Sequence, residues 1–123
     1  MHVQVVTFGL KNLDDEGYRA NAGAIAPAFA HLPGLVSKTW LANAATNTYG
    51  GVYLWQDRRS MEAYQASDIY KGMLENPHFE NVSVRDFEVL EAPTGITRGT
   101  GRPASPGAGP RLQAAPGGAV LMS

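Results

Sequence analysis

Residues 37–57, SKTWLANAATNTYGGVYLWQD, constrain the fold of this 123-residue chain more than any other stretch. Two segments rich in β-branched and aromatic residues, 35–42 and YGGVYLWQ, flank a short loop of Asn, Ala and Thr over residues 43–48. A connection this short joins antiparallel neighbours, because a parallel pair needs a crossover of a dozen residues or more. Side chains alternate across a strand, so Lys38, Trp40, Tyr53 and Trp55 share one face and Ser37, Thr39, Leu41, Val52 and Leu54 share the other.

The flanking sequence supplies the remaining elements. Residues 2–10, with Val3, Val5, Val6 and Phe8, favour a strand. Asp14 or Asp15 is placed to cap a helix over residues 16–30, in which Tyr18, Ala22, Ile25 and Phe29 form one stripe. Pro27 removes a backbone donor inside it and predicts a bend or a restarted turn near Ala26. HLPG at 31–34 ends the helix. Asp57 caps a second helix carrying Met61 and Tyr64, Ser67 or Asp68 opens a shorter helical piece over residues 69–75, and residues 82–91 alternate as a fourth strand. The order β-α-β-β-α-β is that of an α+β, ferredoxin-like fold, a four-stranded antiparallel sheet with its helices on one face.

Alternation then suggests which residues the helices cover. The set Val6, Phe8, Leu35, Leu41, Val52, Leu54, Phe87 and Val89 reads as the covered face, and Val3, Val5, Thr7, Val36, Lys38, Trp40, Tyr53 and Trp55, with Asp86 and Glu88, as the open one. An open face this apolar calls for a second copy, so a homodimer with a chamber between its two sheets is expected. Lys38 argues for a chamber rather than a solid core, since a dry ammonium needs a carboxylate, water or a polar ligand, and Asp86 or Glu88 across the sheet would serve.

Other properties narrow the function. From Thr97 the chain becomes TRGTGRPASPGAGPRLQAAPGGAVLMS, Gly- and Pro-rich without an apolar period, so residues 1–96 are expected to fold and 97–123 to be a disordered tail. A net charge of −1 with interspersed signs gives no footprint for nucleic acid or an anionic membrane. The cysteine-free sequence, with no signal-peptide pattern and no long apolar run, points to the cytoplasm. With three histidines and no ligand-spaced carboxylate cluster, no metal and no bound cofactor is expected.

PGLVSKTW, YGGVYLWQD and the closing VRDFEVLEAP together resemble the YdhR-like monooxygenases of the dimeric α+β barrel superfamily over residues 3–96. The resemblance implies that barrel and cofactor-independent oxidation of a hydrophobic aromatic or polyketide-like small molecule. From the residues themselves, Trp40, Tyr53 and Trp55, with Val36, Thr7 and Tyr70, are the expected substrate platform, and dimer core is the competing role for the aromatics. Lys38 is the expected stabiliser of a substrate anion and His78 the expected base, with His31 the weaker histidine. An isomerase or cyclase for polyketide-like intermediates would use the same pocket without oxygen, and a non-catalytic small-molecule-binding stress-response dimer would use it without turnover.

Overall fold

A computed structural model of the chain describes residues 1–99. The elements are β1 (His2–Leu10), α1 (Asp15–Ala30), β2 (Leu35–Asn43), β3 (Thr48–Trp55), α2 (Arg58–Gln65), α3 (Asp68–Glu75), β4 (Phe79–Glu88) and a short α4 (Glu91–Ile96). The four strands pair antiparallel in the order β2-β3-β1-β4, the ferredoxin-like arrangement. Residues 1–91 form one compact unit. Most of the expected tail, from residue 100 onward, lies outside the described residues.

Local chemistry sets the helix ends. Asp14 accepts the Gly17 N–H at 2.7 Å, Asp57 accepts the Ser60 N–H at 2.8 Å, and the Ser67 hydroxyl accepts the Tyr70 N–H at 3.3 Å. That hydroxyl also donates to the Tyr64 carbonyl at 2.6 Å, tying the end of α2 to the start of α3. The restarted turn expected near Ala26 does not occur: α1 runs uninterrupted through Pro27. Gly23 and Pro27 are both exposed, so the carbonyl deprived of its partner faces water and the helix continues past it.

The assignment of sheet faces needs correcting. Gln4 stands opposite Tyr53 and Val6 opposite Gly51 on one side, with Lys38 opposite Tyr53 and Trp40 opposite Gly51 on the other, so these residues share a face. Phe29 of α1 packs on Trp40 and Tyr53, and Tyr64 of α2 on Tyr53 and Trp55, which makes that face the helix-covered one. Val3, Val5, Val52, Leu54, Leu41 and Phe87 fall on the opposite, helix-free face. A register shift between Leu35 and Ser37 is the physical reason on β2: Leu35 pairs with Trp55 on the covered side, yet the extra residue Val36 reverses the alternation after it. A second irregularity, between Thr7 and Gly9, separates the two ends of β4 in the same way.

The resulting core is aromatic rather than aliphatic. Trp55 is fully buried, and Val6, Phe8, Tyr18, Phe29, Tyr53 and Tyr64 are buried around it. Gly50 has φ 149°, and a Cβ there would lie 1.8 Å from the Val6 carbonyl oxygen, so only glycine lets β3 run this close to β1.

Candidate functional site

Of the 16 residues of α1, six are alanine and two are glycine. A helix so light leaves space above the sheet even where Phe29 and Tyr18 reach down to it, and interiors do not close such gaps by themselves. The result is a cavity of about 330 Å³ between the sheet and helices α1 and α3. Its floor is Gly51 and Tyr53 of β3 with Lys38 and Trp40 of β2; Phe29, Tyr64 and Met73 contribute to its walls. Ile25 and Ile69, 39% and 41% exposed, also line it, one from each helix, and mark its opening to solvent.

Lys38 is the chemically distinctive group here. Its Nζ lies 3.4 Å from the Trp40 ring centre, 3.5 Å from that of Phe29 and 4.6 Å from that of Tyr53. The ion pair expected with Asp86 or Glu88 is absent: Asp86 instead meets the His2 ring Nε2 at 2.6 Å, and among the described residues Lys38 makes no salt bridge. Burial pushes the Lys38 ammonium down to about 7, while the electron-rich ring faces act in the other direction by favouring the cation. The side chain reaches this position because Gly51 leaves room for its stem; a Cβ on Gly51 would stand 2.8 Å from Lys38 Cε.

The tyrosines beside it are held neutral. The Tyr53 and Tyr64 hydroxyls are 3.3 Å apart in a buried pair, and burial raises both phenols above their usual value. Behind them the Trp55 ring lies parallel to that of Tyr53 with 6.0 Å between centres, and its indole N–H donates to Gln4 Oε1 at 3.2 Å.

Of the residues singled out by sequence, the structure brings Lys38, Trp40 and Tyr53 into one cavity. The cavity lies within one chain, between sheet and helices, and not between two sheets. Trp55 buttresses it without lining it. Tyr70 packs edge-on to Tyr64 one layer away. Val36 borders a shallower depression beyond Lys38, and Thr7 points to a different surface near Asn47. His78 and His31 are not among the lining residues; the His78 Nδ1 instead bonds the Lys11 carbonyl at 3.0 Å. Tyr64, Phe29 and Gly51 are the site residues that sequence reasoning missed. The alanine content of α1 was the available signal, since a thin helix needs bulky partners from the sheet.

The model of the family described as "Putative mono-oxygenase ydhR" matches residues 3–100. The chain belongs to the YdhR monooxygenase family. No protein with a curated description matches it in sequence. Among solved structures, the YdhR-family fold seen here resembles an N63A mutant of SnoaB, a cofactor-independent oxygenase from Streptomyces nogalater, at TM-score 0.58 and 18% identity, covering 72% of this chain and 92% of that one. It also resembles the heme-degrader MhuD from Mycobacterium tuberculosis at TM-score 0.60 and 17% identity, covering 73% and 96%. A protein of unknown function from Nitrosomonas europaea aligns at TM-score 0.62 and 15% identity, covering 74% and 90%. At these identities the likeness is one of fold.

Proposed function

We propose that the chain is a cofactor-independent monooxygenase acting on a flat, hydrophobic aromatic or polyketide-like molecule in the cavity between its own helices and sheet. The observation that carries this reading is the Lys38 amine, held among aromatic rings in an apolar cavity with no salt bridge among the described residues. A neutral fraction of that amine near pH 7 takes a proton from an acidic phenol or enol. The ammonium so formed then stays beside the substrate anion and stabilises it. Trp40, Phe29 and Tyr53 supply flat contact surfaces, and the apolar walls keep bulk water away from the anion. Molecular oxygen is the oxidant: one atom enters the substrate as a carbonyl, and the other leaves as water with two substrate hydrogens. Since the His78 ring lies outside the cavity lining, proton transfer is assigned to Lys38.

A homodimer formed through the helix-free face belongs to this proposal, because Val3, Val5, Leu41, Val52 and Phe87 make that face too apolar to stay wet and Phe87 is 44% exposed. Sedimentation should then show a species of twice the 13.1 kDa chain mass, and a chain-sized species at working concentration would remove the dimer from the account. We place the protein in the cytoplasm on its cysteine-free sequence. Among the described residues no helix is long and apolar enough to cross a membrane.

Oxygen uptake with 1,8-dihydroxyanthrone tests the chemistry. The account expects one O2 consumed per carbonyl formed, with Lys38→Met slowing turnover roughly 100-fold, the scale of losing one charge-stabilising group. Product formed without oxygen uptake would favour the isomerase or cyclase reading. Binding of the anthrone without any turnover would favour a ligand-binding protein.

A further inference from the structure

An amine in an apolar cavity has a second chemistry open to it besides proton transfer. Nucleophilic lysines are made by desolvation in a hydrophobic pocket, and their characteristic partner is a carbonyl carbon. Lys38 meets the geometric requirements for this. Its Nζ is packed on the faces of Trp40 and Phe29 beside an open cavity of about 330 Å³, and it makes no salt bridge among the described residues that would hold it as a cation. The cavity takes a flat group of two or three fused rings, which would lie beside the amine against the remaining apolar walls. We infer that Lys38 forms an imine with aldehydes or ketones borne on flat apolar ligands in this cavity.

The step balances without any further reagent. The neutral amine adds to the carbonyl carbon, the carbinolamine takes up one proton from water and loses its hydroxyl as water, and a protonated imine remains, with the C=O bond exchanged for C=N. The positive nitrogen then draws electrons from the neighbouring C–H bond, so loss of that proton gives an enamine, the covalent counterpart of the anion invoked above. The inference therefore narrows the substrate of the proposed oxygenase to carbonyl compounds. It rests on the cavity being the ligand site, but not on the oxygenation itself. Burial of the amine, which lowers its proton affinity to about 7, leaves a large neutral fraction at neutral pH. Gly51 acts as a positioning residue, because any side chain there meets the lysine stem at Cε.

The chain holds its own controls, since its other two lysines, Lys11 and Lys71, are both exposed. The full chain is treated at pH 7.5 with 2-naphthaldehyde and cyanoborohydride, and labelling is mapped by peptide mass spectrometry. Lys38 should be labelled at least ten-fold faster than Lys11 and Lys71, and excess naphthalene-2-methanol, which has the ring but no carbonyl, should slow Lys38 alone. Gly51→Ala should slow Lys38 several-fold in a folded protein, because the group it displaces is the far end of a flexible side chain. Lys38 labelled no faster than the other two overturns the inference. Binding of naphthalene-2-methanol, followed by Trp fluorescence, then separates two failures: if the alcohol binds, only the imine is lost, and if it does not, the cavity falls as a ligand site as well.

Discussion

Replacing Trp55 with alanine is expected to cost about 3–5 kcal/mol, the range for removing a large aromatic from a packed core. A domain of this size has roughly 5–15 kcal/mol in total, so the variant should lose a large share of its stability. Trp55 is 0% exposed, lies parallel to Tyr53, packs against Tyr64 and holds Gln4 through its indole N–H. Gln4 is itself 0% exposed, and its Nε2 has no hydrogen-bond partner among the described residues, so losing the indole would leave both ends of a buried amide unsatisfied. Urea denaturation at 25 °C measures the loss directly. Trp55→Phe keeps a stacked ring and should cost less, about 1–2 kcal/mol, mostly from the orphaned amide oxygen. A cost near zero for Trp55→Ala would mean that the helices do not cover this face.

The second large effect is a dependence of stability on pH that belongs to Lys38. In the unfolded chain its ammonium titrates at about 10.5, and in the folded chain burial brings it to about 7. Below pH 7 both states carry the proton and the burial penalty is felt in full. Between pH 7 and 10.5 the unfolded state binds more protons than the folded one, so stability rises with pH. The ceiling for one group is about 1.4 kcal/mol per pH unit, and the observed slope should be a fraction of it because the side chain is only half-buried and the three rings favour the cation. Above about pH 10 the sign reverses, since Tyr18, Tyr53 and Tyr64 are raised by burial and the unfolded chain loses those protons first. Urea titrations from pH 6.5 to 9.5 should therefore show wild-type stability rising and Lys38→Met nearly flat. Equal slopes for the two proteins would place Lys38 in solvent.

Element order was legible because it rests on local signals: β-branched runs, Asp and Ser caps, and Pro-Gly stops. β1 and the caps at Asp14, Asp57 and Ser67 follow directly from such residues. The faces were not legible, because alternation is a count and one extra residue reverses it. Val36 sits at such a place, and the register shift there carries Lys38 and Trp40 under the helices although Leu35 is also under them. The same residues looked like an open surface because they are amphipathic, while Val52 and Leu54 looked like a core because they are aliphatic. What settles the matter physically is volume: a helix built of alanine and glycine leaves a space that Val and Leu cannot fill and that Trp40, Tyr53, Trp55 and Tyr64 only partly fill. The α4 turn over EAPTGI was missed because Pro93 and Gly95 argue against a helix.

The central claim is that Lys38 lies in an aromatic cavity beneath α1, and nuclear magnetic resonance of the lysine ε-methylene groups tests it most directly because the chain has only three lysines to resolve. The account predicts one ε-methylene signal displaced upfield by the rings of Phe29, Trp40 and Tyr53, titrating well below the other two and moving when 1-naphthol is added. Three undisplaced signals that titrate together near 10.5 would contradict it.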